Sequence, residues 1–238
     1  MTPMPDAMSP SLPAGPPTWL RPLFGLTVLV VEDSRFVSEA LRLMCVRSGA
    51  RIRRADCLRA ARRHLQTYRP AVLIVDIGLP DGSGAGLIAE AKALPQPVPA
   101  VLGLSGDPAR AAEALGAGAD AFLPKPVESL ARFQQAVLCV LPAEVRRAAP
   151  MALEDDTITP DPLALRDDLS HAADVLARRR DAAATGYVAQ FVAGLARACH
   201  DEDLETAAEA AAGQSPSRAA LSQLSGLVQA RLDRAAVF

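Results

Sequence analysis

The stretch that most constrains this chain runs from Ala71 to Gly84, AVLIVDIGLPDGSG. An apolar run, Val72 to Val75, leads into a single carboxylate, Asp76, and the chain then passes at once into a turn rich in glycine and proline. A short apolar, β-branched run bounded by turn residues reads as a buried strand, and a strand apolar on both faces belongs inside a parallel sheet. Open α/β sheets carry their chemistry in the crevice outside the carboxyl ends of their strands, which is where this strand delivers Asp76. Partners are therefore to be sought at other strand ends. Candidates are Glu32 and Asp33 after Thr27 to Val31, Ser105 after Val98 to Leu104, and Lys125 after Ala119 to Leu123.

These residue types suit acceptance of a phosphoryl group. The Asp76 carboxylate is ionised at neutral pH and can attack phosphorus to form an acyl phosphate. Glu32 and Asp33 beside it concentrate negative charge that invites Mg²⁺, a hard cation that prefers oxygen ligands and bridges carboxylates to phosphate. Such an ion offsets repulsion between the acids and an incoming phosphoryl group. Lys125 supplies a point charge and Ser105 a hydroxyl donor, while Gly106 is expected to leave room for the phosphoryl group. Singly, each residue also has a plain structural reading. An acid after a strand caps helices and forms turns, a lysine between prolines is often a solvated loop charge, and a serine is a common turn residue. The joint pattern decides, because separate strand ends carry the complementary chemistries in order.

The segments VLVVEDS at 28–34, LIVDIGLPDGSG at 73–84, LGLSGD at 102–107 and FLPKP at 122–126 resemble the receiver domain of bacterial two-component response regulators, over about residues 26–142. The resemblance implies a flavodoxin-like, doubly wound α/β fold with a five-stranded parallel sheet in the order 2-1-3-4-5. It also implies phosphorylation of Asp76 by a histidine kinase or a histidine phosphotransfer protein, with Mg²⁺ held by Glu32, Asp33, Asp76 and the backbone carbonyl of Gly78. Ser105 takes the family's hydroxyl switch position and Phe122 the aromatic one, three residues before Lys125. Gly78 and Asp107 stand where relatives tune attack of water on the acyl phosphate. Phe122 has no hydroxyl, so an aromatic switch here works by packing: if Ser105 is drawn to the phosphoryl group, Phe122 fills the space it leaves.

The length of 238 residues allows one or two domains, and an apolar fraction of 50% is ample for a core. A net charge of −2 gives no argument for a nucleic-acid or membrane field. Cys45, Cys57, Cys139 and Cys199 are far apart, with no metal-binding spacing, and suit a reducing cytoplasm. No apolar run approaches a membrane span and the amino-terminal segment does not read as a secretory signal. Residues 1–22 are expected to be disordered, 23–142 to form the receiver, 143–162 a linker and 163–238 an all-helical output or dimerisation domain. Helices are expected over Ser34 to Arg47, Cys57 to Tyr68, Leu87 to Leu94, Ala109 to Leu115 and Val127 to Leu141, with Arg51 to Ala55 a polar edge strand.

The carboxyl-terminal third is dominated by alanine, leucine, arginine and acids. Helical stripes appear at Leu165, Leu169, Ala172 and Leu176, at Tyr187, Val188, Phe191, Val192 and Leu195, and at Leu221, Leu224, Val228 and Leu232. A kink is expected near Thr185 and Gly186, and Ser215 and Pro216 are expected to start the last helix. A segment this small and rich in alanine buries little alone, so it is expected to pack on a second copy, giving a homodimer, or on the receiver. A DNA-binding transcriptional regulator is the alternative. The segment fits a helix-turn-helix poorly, lacks lysine and has more acids than arginines, all unfavourable near phosphates. Neither His171 nor His200 has the surroundings of a phosphotransfer histidine, and no catalytic constellation follows residue 150. The expected protein is a phosphorylation-dependent switch, not an enzyme acting on an external substrate.

Overall fold

The computed structural model describes residues 21–146, 156–178, 182–213 and 217–235. Trp19, Leu20, Ser215, Pro216 and nearly all of the amino-terminal segment expected to be disordered lie outside the described residues. Strands β1 (Thr27–Val31), β2 (Arg51–Ala55), β3 (Val72–Asp76), β6 (Ala100–Ser105) and β7 (Ala121–Pro124) form one parallel sheet in the order β2-β1-β3-β6-β7. Two short pieces, β4 (Gly78–Leu79) and β5 (Gly82–Ser83), pair antiparallel in the turn after Asp76. Discounting that turn, the order is the expected 2-1-3-4-5, with the arginine-rich β2 at the edge.

Alternation along the strands sends side chains to opposite faces. Val28, Val30, Val72, Ile74, Leu102 and Leu104 meet α1 (Arg35–Arg47) and α5 (Leu130–Val140) on one face. Leu29, Val31, Leu73, Val75 and Val101 meet α2 (Leu58–Thr67), α3 (Gly84–Ala93) and α4 (Ala111–Gly116) on the other. Helix starts follow the available caps. Ser34 Oγ accepts from Val37 N, as its place before α1 suggests. Cys57 gives α2 no cap, and the Asp81 carboxylate instead accepts from Leu58 N and Arg59 N at 2.9 and 3.1 Å. The fifth helix begins at Leu130 and not at Val127, because Ser129 supplies the cap to Arg132 N.

The carboxyl-terminal third forms α6 (Pro162–Arg178), α7 (Ala182–Ala198), α8 (Glu202–Ala211) and α9 (Arg218–Ala235). Thr185 and Gly186, where the kink is expected, lie within α7. At the start of α9 the capping serine is Ser217, whose Oγ accepts from Ala220 N at 3.0 Å. The expected linker is also partly anchored. Leu130 N donates to Asp156 O, Ile158 N donates to Glu128 O, and Ile158 is buried among the α1 and α5 side chains, because an apolar residue there gains more from the receiver core than from water. Among the cysteines, Cys139 is exposed, contrary to the pattern of its helix, while Cys45 is buried.

Leu169, Ala172, Leu176, Leu224 and Val228, which formed the stripes expected to seek a partner, are buried within a single cluster of the module. Phe36 of α1 packs against that cluster, and Ala198 of α7 packs against the receiver core. The module therefore sits on the receiver.

Candidate functional site

Parallel pairing brings the carboxyl ends of β1, β3, β6 and β7 to one edge of the sheet. Backbone bonds pin them there: Glu32 N to Ala55 O at 2.9 Å, Ile77 N to Leu104 O at 3.0 Å, and Lys125 N to Ser105 O at 2.8 Å. Glu32, Asp33, Asp76, Ser105 and Lys125 thereby line one cavity of about 620 Å³. The turn after Asp76 requires a glycine at Gly84, because a Cβ there would stand 2.0 Å from the Asp76 carbonyl oxygen.

Lys125 Nζ lies 3.0 Å from Asp76 Oδ2 and 2.7 Å from Glu32 Oε2, and its side chain is only 9% exposed. Asp76 Oδ1 faces the Gly78 N–H at 3.3 Å, and Glu32 Oε1 accepts from Ser34 N at 3.1 Å. Ser105 Oγ accepts from Asp107 N at 3.1 Å, and Asp107 in turn caps the short helical turn after it through Ala109 N. Asp107 thus shapes the loop beside Ser105. Phe122 is partly buried and packs on the face of the sheet that carries α4. Gly78 is exposed and lines the cavity.

Charge in this cleft is unbalanced. Carboxylate oxygens of Glu32, Asp33 and Asp76 come within 4.8 Å of one another. Burial pushes Glu32 well above the ordinary carboxylate range and Asp33 up to about 6, the nearby acids adding to the rise. Burial alone would lower Lys125, but the charges of Glu32 and Asp76 outweigh it and hold the ammonium above its ordinary value. Lys125 pairs with two members of this cluster of three acids, which leaves negative charge among them. A close set of hard oxygen donors with that surplus suits a divalent cation.

Residues 28–137 match the family model described as the response regulator receiver domain. Over those residues the chain is a receiver domain. The matched residues fall within 26–142, the range of the sequence resemblance. The Escherichia coli KDP operon transcriptional regulatory protein KdpE is 33% identical over 99 residues, covering 42% of this chain and 44% of that protein. The Salmonella typhi virulence transcriptional regulatory protein PhoP is 30% identical over 139 residues, 57% of this chain and 58% of that protein. The match thus spans about half the length of these relatives. Among solved structures, the signal receiver domain of a signal transduction histidine kinase from Syntrophus aciditrophicus is 28% identical with a TM-score of 0.46, over 54% of this chain and 98% of that one. Among the described residues no helix is long and apolar enough to cross a membrane.

Three polar side chains of the helical module reach the cleft or its rim, and the sequence reading does not include them in the site. Tyr187 of α7 donates its hydroxyl to Asp33 Oδ2. Asp168 of α6 accepts from Ser34 Oγ at 2.8 Å and from Arg35 N and Phe36 N at 3.0 Å each. It thereby answers two of the backbone donors left unpaired at the start of α1 with a carboxylate. Arg197 of α7 donates Nη1 to Gly106 O at 3.1 Å, with Glu205 and Glu209 holding its other nitrogens at 2.7 and 3.0 Å. A Cβ on Gly106 would stand 2.6 Å from that guanidinium, so the space beside Gly106 admits Arg197. Asp168 left a signal in the sequence, a carboxylate within the apolar stripe of Leu165, Leu169 and Ala172. Tyr187 falls at helical spacing on an apolar face, and nothing in the local pattern marks Arg197.

Proposed function

We propose that this chain is a response regulator that accepts a phosphoryl group on Asp76 from a histidine kinase or a histidine phosphotransfer protein. An Asp76 carboxylate oxygen attacks phosphorus, the phosphorus–nitrogen bond of the donor phosphohistidine breaks, and the imidazole leaves with the electron pair. The observation that carries this reading is the contact of Lys125 Nζ with Asp76 Oδ2 and Glu32 Oε2, within a set of three clustered carboxylates. Glu32, Asp33, Asp76 and the Gly78 carbonyl would hold Mg²⁺, which when bound neutralises charge on the phosphoryl oxygens. Lys125 holds the Asp76 carboxylate oriented, and Ser105 offers a hydroxyl beside it. Ser105 and Phe122 would act as the switch pair. In this reading the chain is a cytoplasmic switch whose only chemistry is gain and loss of its own phosphoryl group.

The output falls to the helical module, through contacts with another protein or a second copy of the chain. A second reading, regulation of transcription through DNA, is favoured by the names of KdpE and PhoP. Incubation with acetyl phosphate and Mg²⁺ tests the first step. Intact mass should rise by one phosphoryl group, labile to hydroxylamine, and Asp76→Asn should abolish the gain completely; a gain that survives in that variant refutes Asp76 as acceptor. Light scattering with and without beryllofluoride separates a dimerising output from a monomeric one, and a gel shift on promoter DNA tests the second reading.

A further inference from the structure

The contacts of α6 and α7 with the receiver fall on the rim of the acidic cleft, and one of them falls on a carboxylate of the cation set itself. Lys125 pairs with Glu32 and Asp76. Among the described residues, the side-chain donor that reaches Asp33 is the Tyr187 hydroxyl, 154 residues away in sequence. A hydrogen bond to a carboxylate is strongest when the acceptor carries its full charge. A cation that takes Asp33 as a ligand withdraws that charge and weakens the bond that Tyr187 makes. Phenol and cation therefore compete for one anionic group.

Tyr187 is also part of the docking of a whole module. On the same side, Asp168 grips the start of α1 through Ser34, Arg35 and Phe36, and Arg35 pairs with Asp167 at 2.6 Å. These contacts lie outside the cation set, so they hold the phenol over Asp33 without touching a ligand. Resting on the reading of the cleft as a cation-dependent phosphoacceptor site, we propose that Tyr187 is a positioning residue that couples docking of α6 to α9 to cation occupancy. The docked module holds Asp33 through the phenol and lowers cation affinity. Cation loading releases the phenol, loosens the module and opens the cavity, lined on one side by Tyr187 and Phe191, to a phosphodonor. Coupling of this kind is reciprocal, and for one charge-assisted hydrogen bond it belongs at the lower end of the usual range, about five- to tenfold.

The test titrates Mg²⁺ into the full chain by calorimetry for the parent protein, Tyr187→Phe and Asp168→Ala, and follows hydrogen exchange in α7 with and without Mg²⁺. Both variants should bind Mg²⁺ about five- to tenfold more tightly, and Mg²⁺ should lower the protection of α7 in the parent chain. Asp168→Ala reports on docking alone and keeps the test decisive if Tyr187→Phe does not fold. Unchanged or weaker binding in the variants overturns the proposal while leaving the cation site intact. Tighter binding in Tyr187→Phe with α7 protection indifferent to Mg²⁺ also overturns it, since the contact is then local. If neither parent nor variants bind Mg²⁺, the cation reading itself fails, a result distinct from the others.

Discussion

The receiver and the helical module bury their interiors with different materials. Behind the sheet stand Leu29, Leu41, Leu73, Ile74, Ile77 and Phe133, all inaccessible to solvent. In the module, among the described residues, Ala172, Ala189, Ala193, Ala196, Ala208 and Ala211 make up six of the fourteen buried residues of the cluster, the rest being leucines and valines. A buried leucine or phenylalanine contributes about 1.5–3 kcal/mol, whereas an alanine methyl contributes less than about 1 kcal/mol. The module thus gains less from its own core and more from lying against a neighbour. Its polar side chains reflect this: Asp168, Tyr187 and Arg197 all reach across to the receiver. The receiver, in contrast, turns its polar residues inward on one another, with Lys125 between Glu32 and Asp76.

The comparison breaks most readily at that inward cluster. Lys125→Met leaves buried carboxylates without their cation, and removal of one partner from such a pair costs about 3–5 kcal/mol. Chemical denaturation without divalent cations should show that loss in the receiver; an unchanged midpoint would mean the acids are better solvated than their burial indicates. The two cores can next be set against each other. Phe133→Ala should cost about 3–5 kcal/mol and lower the unfolding of both regions, because the module docks on the receiver. Leu224→Ala, within the module, should cost about 2–5 kcal/mol and melt α6 to α9 while the sheet persists. Calorimetry would resolve two transitions in the second variant, and a single joint transition in both would show that the regions fold as one unit.

The smallest expected effect concerns the internal bracing of the module. Asp201 caps α8 through Leu204 N and receives two bonds from Arg231 at 2.6 and 2.9 Å. The Arg231 bonds hold Asp201 below its ordinary value of 3.8. An acid depressed in the folded state contributes stability that is fully present above the unfolded value and lost as pH falls through the folded one. The module should therefore lose stability below about pH 4, and Asp201→Ala should remove that acid limb and cost about 1–2 kcal/mol at neutral pH. Circular dichroism melts across pH 2 to 7 would register both. An acid limb that persists in the variant would assign it to other carboxylates.

Legibility in the sequence follows the same divide. The strand ends with Glu32, Asp33, Asp76, Ser105 and Lys125 were readable because each follows an apolar run and a turn, features set within about ten residues. Edge strand β2 was readable from its arginines, and α1 from Ser34. Boundaries slipped where the deciding group was a cap, at Ser129 and at Ser217. They slipped again where apolar contact with a distant core decided, as at Ile158. The stripes of α6 and α9 were visible, yet their partner was not: a stripe of leucine and alanine fits a second copy as well as a neighbouring helix.

By itself, then, the sequence determined the order of strands and helices, the buried faces and the acidic strand ends, because periodicity and turn chemistry are local properties. Tertiary structure alone decided that α6 and α7 close over those ends. The bond from Tyr187 to Asp33 joins residues 154 apart and that from Ser34 to Asp168 residues 134 apart. A hydroxyl or carboxylate on a helix carries no local mark of which distant partner it will meet. Its position is set only when two packed surfaces fix the distance between them to within a hydrogen bond.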